Sequence, residues 1–412
     1  MNTISAKIQK PTRLASVAEV IFSNVDKSTM PGEIQVRLCN YTDVYNNRRI
    51  DSRLHFKRGT ATPKEIERFR LLKGDVVITK DSESANDIAV PAYVAEDIPD
   101  LVCGYHLAIL RPKIGMLDGR FLAQLLQLHH IRRYFATLAN GITRFGLGTA
   151  AINEANITLP NLAIQRKIAD ILTTWDESSE KLDALIAVKE RRKKSLMQQL
   201  LTGRIRLKGF SCKWPMQQMP NVFERVERKS TGTPQHVLSI TSGKGFVDQS
   251  EKFSRVIAGR NIENYVLLKK GEFAYNKGNS DRYPQGCIYR LEEFEEGVVP
   301  NVWISFRLKA PTHSPLFYKH FFLAGGHNHQ LHRLINAGVR NDGLLNLTPT
   351  NFFNICVPVP PESEQAQLGE MFESLAAELR LLRAQRVAFD QQKRGLIQHL
   401  LIDAVRVRLE KT

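Results

Sequence analysis

The chain has 412 residues and carries 58 Lys and Arg against 42 Asp and Glu, a net charge of +16 that sets its pI near 9.6. No apolar run reaches the roughly 18 residues of a membrane-spanning helix, and Met1–Lys10 lacks the apolar centre of a secretory signal. The five cysteines (Cys39, Cys103, Cys212, Cys287, Cys356) are odd in number, scattered and without a Cys-x-x-Cys pair, which argues against a disulfide framework and a zinc ribbon. A cytoplasmic protein with no membrane contact is expected. Its basic excess favours a polyanionic partner, with nucleic acid ahead of a membrane surface or simple solubility.

Residues 1–158 read as a first globular segment of short strands and helices. Leu72-Lys73-Gly74-Asp75 is a turn feeding the β-branched strand Val76-Val77-Ile78. Leu107 to Leu110 is a second apolar strand, stopped by Pro112. Apolar residues at helical spacing from Phe121 to Leu138 predict one helix ended by Gly141. Residues 159–207 form a long helical segment. Ile164, Ile168, Ile171, Leu172, Trp175, Leu182, Leu185, Leu196 and Leu200 stand mostly three, four or seven apart, and neither Pro nor Gly interrupts them. The spacing predicts a helix of roughly 40 residues, about 55–60 Å long. Residues 208–357 are a second globular segment. Residues 358–412 are a second long helix, marked by Leu368, Met371, Phe372, Leu375, Leu379, Leu382, Phe389, Leu396 and Leu400.

The second half repeats the first. Moved by 200 positions, Lys193, Leu196, Gln198, Leu200, Leu201 and Arg206 fall on Lys393, Leu396, Gln398, Leu400, Leu401 and Arg406, and Pro160 and Gln165 fall on Pro360 and Gln365. Moved by 197, Gly74, Lys80, Leu126 and Gly141 fall on Gly271, Lys277, Leu323 and Gly338. Lys269 to Tyr275 answers the strand near 73–78, and Trp303-Ile304-Ser305-Phe306 answers 107–110. Chain order then predicts an α+β molecule: two pseudo-repeated globular α/β domains separated by two long antiparallel helices. Such a pseudo-two-fold suits a partner with two related half-sites.

The sequence carries few catalytic motifs. No Asn-Pro-Pro-aromatic methyltransferase motif occurs, and Ser242-Gly243-Lys244-Gly245 lacks the remaining parts of a phosphate loop. Glu227-Arg228-Lys229 resembles half of a nuclease site, with Asp100 far away in sequence. His327, His329 and His332 form the one histidine cluster, and no acidic or Cys ligand stands near it. No catalytic residue and no metal site is expected. The competing classes are a nuclease with an unrecognised site and a coiled-coil protein scaffold.

Residues suited to nucleic acid sit beside turns in both halves. Lys80 and Lys277 follow the repeated strand. Thr143 and Arg144 follow Gly141; Arg340 and Asn341 follow Gly338. Lys244 lies in a Gly turn, and Asn279, Arg282 and Tyr283 lie in a polar stretch. Arg suits guanine and Asn suits adenine. The basic run Lys189 to Lys194 is a solvated helix face, a phosphate contact or a docking patch.

Two stretches carry a family resemblance. Leu159-Pro160-Asn161-Leu162-Ala163-Ile164-Gln165-Arg166-Lys167-Ile168-Ala169 and Arg192-Lys193-Lys194-Ser195-Leu196-Met197-Gln198-Gln199-Leu200-Leu201-Thr202-Gly203-Arg204 resemble the specificity (S) subunits of type I DNA restriction–modification systems. The resemblance covers nearly the whole chain. It implies a target-recognition domain at 1–158 and another at 208–357, each reading half of a bipartite duplex DNA sequence, with helical spacers at 159–207 and 358–412 setting the unread gap. It also implies two methylation (M) subunits and restriction (R) subunits as partners. S-adenosylmethionine, ATP and Mg would sit on those partners, with no cofactor in this chain. Gln165, Ile168, Trp175, Leu196, Gln198, Leu200, Gln365, Leu368, Leu396 and Gln398 are the helix residues expected at the partner contacts. The second copy departs from the first: Ile402-Asp403 replaces Thr202-Gly203, and Arg386 enters the apolar stripe where the first copy has Ile186.

Overall fold

Val76–Thr79 is buried along its whole length, which requires cover on both faces of its sheet. In the computed structural model it is the third strand of a five-stranded sheet, in the order Ala18–Phe22, Leu107–Pro112, Val76–Thr79, Pro91–Val94, Arg49–Ile50. The structure describes residues 11–26, 28–230, 236–241, 243–252, 262–278, 283–335 and 345–402, except for the side chains of 251, 252 and 402. Alternate residues point to opposite faces. Val76, Ile78, Ala108 and Leu110 join one core with Phe121, Leu122 and Phe135. Val77, Leu107 and Ile109 join another with Val36, Leu38 and Val102. The second core lies under a three-stranded sheet of Lys57–Ala61, Ile34–Cys39 and Leu101–Cys103.

The second half builds its main sheet in the same order: Phe223–Arg225, Ile304–Leu308, Phe273–Asn276, Cys287–Arg290. Ile78 pairs with Ala108 in the first sheet, and Tyr275 pairs with Ile304 in the second. The strand at 304–308 is therefore displaced by 196 positions from that at 107–112, which makes Trp303 to Phe306 the counterparts of Leu107 to Leu110 and sets Ile304 to Phe306 opposite Phe273 to Tyr275. Aromatic rings replace aliphatic ones in this copy. Phe273 stacks on Phe306 at 5.4 Å, and Phe223 meets Phe306 edge-on at 5.3 Å, geometry that adds about 0.5–1.5 kcal/mol per pair to the burial.

The turn before the repeated strand is built the same way twice. Gly74 and Gly271 both hold positive φ, 103° and 90°, a conformation that glycine adopts without strain. The next residue, Asp75 or Glu272, accepts a hydrogen bond from the backbone of Leu72 or Lys269. Arg111 pairs with Asp75 at 2.8 Å, and Arg228 with Glu272 at 2.7 Å.

The single helix expected over Phe121–Leu138 is two helices, Gly119–Leu125 and His129–Leu138. Leu126 and Leu128 are both buried. A continuous helix would turn these residues about 200° apart, so the chain breaks to bury both. The second copy breaks likewise, into Pro315–Leu323 and Asn328–Leu334.

The long helices run Leu162–Leu200 and Glu362–Ile397, the latter continued by a π turn at Gln398–Ile402. Gly203, at φ 69°, follows the exit of the first. Near each start a glutamine reaches back. Gln165 accepts from the Asp118 amide at 3.0 Å and donates to the Pro160 carbonyl at 2.8 Å. Gln365 accepts from the Ser314 amide at 3.0 Å and donates to the Pro360 carbonyl at 2.8 Å. Asp118 and Ser314 are the N-caps of equivalent helices. Each glutamine is at most 1% exposed, and it fixes its long helix to a globular helix start. Replacing either with Ala strands buried backbone groups. We expect Gln165→Ala and Gln365→Ala each to cost about 2–3 kcal/mol in urea unfolding, with similar penalties in the two copies.

The chain divides into two compact units, residues 1–181 with 386–412, and residues 182–385. In the first, Trp175 rests on Phe389 at 5.0 Å, and Lys393 and Arg48 both pair with Asp176, at 2.5 and 2.7 Å. Leu396, Ile397, Leu400 and Leu401 pack on the core beside Ile164. In the second, Lys189 pairs with Glu378 and Glu190 with Arg383. Beyond the end of the first long helix, Arg206 pairs with Glu364. Within the second unit the pairing moves from Lys189 with Glu378 to Arg206 with Glu364, and within the first Trp175 meets Phe389 while Leu396 to Leu401 join the core that Ile164 packs on, so in each unit the two segments run antiparallel. Arg386, anomalous in the apolar stripe, pairs with Asp390 one turn on.

Candidate nucleic-acid interface

In the first unit three of the expected residues share one end of the main sheet. Lys80 ends the central strand. The next residues, Asp81–Ser82, pair with Phe145–Gly146, which places the loop 141–144 beside it. The Leu147 amide also donates to the Lys80 carbonyl at 2.9 Å. The loop is closed at its base by reciprocal bonds between Asn140 and Gly146, at 2.9 and 3.0 Å. Thr143 and Arg144 are exposed at its tip. Arg144 pairs with no carboxylate among the described residues.

Lys80 itself is engaged. Its side chain is 12% exposed, and its ammonium lies 3.4 Å from Asp81 and 4.6 Å from the centre of the Tyr105 ring. His106 meets the same carboxylate at 2.7 Å. Lys80 therefore props the loops on either side of it, and the half-exposed Tyr105 (48%) forms part of the outer surface. Sequence reading passed over Tyr105 and His106. The available signal was their place just before the apolar strand at 107, opposite the end of the Lys80 strand.

The second unit repeats the anchor. The Leu345 amide donates to the Lys277 carbonyl at 2.9 Å, and the Lys277 ammonium donates to the Leu347 carbonyl at 3.3 Å. Arg340 and Asn341, with Asn279 and Arg282, lie outside the described residues. Lys244 is exposed at the tip of a hairpin joining Leu238–Thr241 to Gly245–Asp248. The hairpin tip is tied to Tyr283 through Tyr289, whose hydroxyl accepts from the Gly243 amide at 3.2 Å and meets the Tyr283 hydroxyl at 2.9 Å. Tyr289 was not singled out from sequence; it lies in a short strand, Cys287–Arg290, that carries no motif.

The helix residues expected at partner contacts divide clearly. Gln165, Ile168, Leu200, Gln365 and Leu368 are buried in the chain's own cores. Trp175, Leu196 and Leu396 are half-buried against them. Only Gln198 and Gln398, a pair related by the 200-residue repeat, are exposed. The apolar stripe is thus spent on internal packing, and the outward face is polar. Within the basic run, Lys189 is paired. Burial pulls the Lys193 ammonium below its usual range, with Glu373 opposing that fall. Arg191, Arg192 and Lys194 face solvent.

The chemistry considered and set aside from sequence has structural uses. Arg228 is held by Glu272, and Lys229 donates to the Asn264 carbonyl. His329 and His332 are exposed, whereas His327 is buried against Phe322. Among the described residues no three His, Cys, Asp or Glu side chains cluster as metal ligands would. No helix among them is long and apolar enough to cross a membrane.

Comparison with known proteins gives a consistent picture. A family model described as the type I restriction modification DNA specificity domain matches residues 36–190. A relative from Methanocaldococcus jannaschii, described as the type I restriction enzyme MjaX specificity subunit, is 22% identical over 378 residues, covering 84% of this chain and 81% of its own. The crystal structure of a type I restriction–modification S subunit from M. genitalium superposes with a TM-score of 0.60 at 13% identity, covering 97% of this chain and 98% of the other. A chain from a structure that describes complex assembly and conformational transition of the type I R-M system superposes at 0.51 with 15% identity, over 99% and 100%.

Proposed function

We propose that the chain, which belongs to the specificity-subunit family of type I restriction–modification systems, is the non-catalytic DNA-reading subunit of such a complex. It reads a bipartite duplex sequence, one half with each globular segment (1–158 and 208–357), and recruits two methylation subunits and the restriction subunits. The observation that carries the reading is the repeated loop anchor. The Leu147 amide donates to the Lys80 carbonyl in the first unit, as the Leu345 amide does to the Lys277 carbonyl in the second, at the end of the equivalent central strand, and in the first unit this anchor stands beside the Gly141–Arg144 loop. A duplicated reader needs a duplicated fixing point, and an internal scaffold does not.

Within this reading Thr143, Arg144 and Lys244 face DNA, and the loops carrying Asn279, Arg282, Arg340 and Asn341 supply the second half-site. The long segments 159–207 and 358–412 act as spacers. Gln198 and Gln398 are the helix positions open to the methylation subunits. S-adenosylmethionine, ATP and Mg belong to the partner subunits, and the complex works in the cytoplasm.

Single-molecule sequencing of N6-methyladenine across the genome, with and without the gene, tests the proposal. Loss of one bipartite methylated motif on deletion is the expected result; an unchanged methylome refutes it. Arg144→Ala gives a finer test. Removing one bidentate base contact costs about 1–3 kcal/mol, so methylation of the motif should fall about 10- to 100-fold, with relaxed preference at one guanine of one half-site only.

A further inference from the structure

We propose that Ile142, at the tip of the first unit's recognition loop, reads the 5-methyl group of a thymine in the major groove, next to a guanine taken by Arg144. The inference rests on the DNA-reading function above and names the side chain and the base for one half-site.

Ile142 is 94% exposed, a large β-branched side chain with almost no protein cover. Its loop is not a slack excursion. Gly141 stands at φ 146°, and a Cβ there would lie 1.9 Å from the Arg144 carbonyl oxygen, so the backbone folds back tightly on itself. The closure at Asn140 and Gly146 and the strand pair at 81–82 and 145–146 hold the base of the loop. The tip therefore presents Ile142, Thr143 and Arg144 in a fixed order with little entropy left to lose on binding. Exposed single apolar side chains are common on any surface. This one is two residues from an Arg with no carboxylate partner among the described residues, on a loop whose base is bonded to the end of the Lys80 strand.

In the major groove only thymine offers an apolar group, and guanine alone offers two adjacent acceptors to a guanidinium. An apolar tip two residues from an arginine matches a thymine and a guanine at neighbouring base pairs. Ile114, fully exposed at 102% in the turn after the opposite end of strand Leu107–Pro112, serves as an internal control.

The test uses the complex reconstituted with its methylation subunits and a duplex carrying the methylated motif. Each thymine of both half-sites is replaced in turn by uracil, which removes only the methyl group. One replacement should weaken binding of the unaltered protein about 3- to 10-fold. Ile142→Ala should weaken binding of the thymine duplex by a similar factor and become indifferent to that replacement. Ile114→Ala should behave as the unaltered protein. Specific binding that is insensitive to every uracil, or a motif without thymine, overturns the inference and leaves the DNA-reading function standing. An Ile142→Ala loss that persists equally on uracil DNA overturns it in favour of a wedge between bases. Absence of any sequence-specific binding by the complex would instead count against the function itself.

Discussion

Acidification from pH 7 toward 4 should unfold the unit of residues 182–385 before the other. His320 and His327 are buried there; the His327 ring nitrogens make no hydrogen bond, and His320 Nε2 lies 3.3 Å from the Glu373 carboxylate. Burial pushes His320 down to about 4, helped by Lys193 and Lys319 and opposed by the Glu373 carboxylate. Burial likewise pushes His327 down to about 3, with a small push from His329. An unfolded chain protonates these rings near the ordinary histidine value of about 6.5; the folded unit resists. Their contribution is thus intact above pH 6.5 and is lost progressively as pH falls toward 4 and 3, about 2 kcal/mol per imidazole at pH 5. Glu373 adds to the loss at lower pH. Burial raises it, but hydrogen bonds from Lys319 and Arg380 outweigh that and hold it at about 2. Its contribution is present above about 4.5 and fades below.

Among the described residues the first unit buries no histidine. Tryptophan fluorescence separates the two, because Trp214 and Trp303 lie in the second unit and Trp175 in the first. Simultaneous acid transitions would contradict the assignment. His327→Phe, which removes one buried imidazole beside Phe322, should move the second unit's transition to lower pH.

Glu364→Ala should cost about 3–5 kcal/mol, the largest loss we expect from one side chain. Glu364 is wholly buried. It accepts from Arg206 through Nε at 2.8 Å and Nη2 at 2.5 Å, and from the Trp214 indole at 2.9 Å. The guanidinium also lies 5.0 Å from the centre of the Trp214 ring. Truncation leaves a nearly buried cation and a buried N–H without an acceptor, and removing one partner of such a pair is the costly case. Glu364→Gln keeps the shape and one acceptor and should lose roughly half as much. Urea unfolding followed by Trp214 emission measures both; a loss below about 1 kcal/mol for the Ala variant would mean the pair is solvated in solution. The first copy has Ile164 at this position, so the device belongs to one repeat only.

Much of the architecture was legible because it was written twice. A single apolar strand such as Leu107 to Leu110 is ambiguous, but its echo at 303–306 fixed a strand pair and even its 196-residue displacement. The uninterrupted stripe from Ile164 to Leu200 announced a helix of almost the observed length. The break between Leu126 and Leu128 was illegible, since leucines crowded at 125, 126 and 128 satisfy a helical count while demanding two directions of burial. The glutamines were visible as a repeat, but their use was not. Gln165 and Gln365 looked like docking residues, and only tertiary structure reveals the amide at 118 or 314 that each one holds. At the candidate interface, Thr143 and Arg144 followed from the Gly turn. Lys80 was found by its repeat, yet its stacking on Tyr105 depends on a residue 25 positions away that shares no motif with it, and its neighbour Asp81 is drawn to it and to His106 only in the folded chain.

The first core draws Leu396, Ile397, Leu400 and Leu401 from the far end of the sequence. On the ribosome, the unit begun first is therefore among the last to be finished. Its early residues emerge with the apolar side of Ile164 and Leu172 uncovered while the whole of 182–385 is translated and can fold as an insertion. Closure over more than two hundred residues carries a high contact order and slows the final step. It also leaves an apolar surface open to misassociation in the interval. Released chains truncated at residue 385 should accordingly hold a sound second unit and an incomplete, aggregation-prone first one.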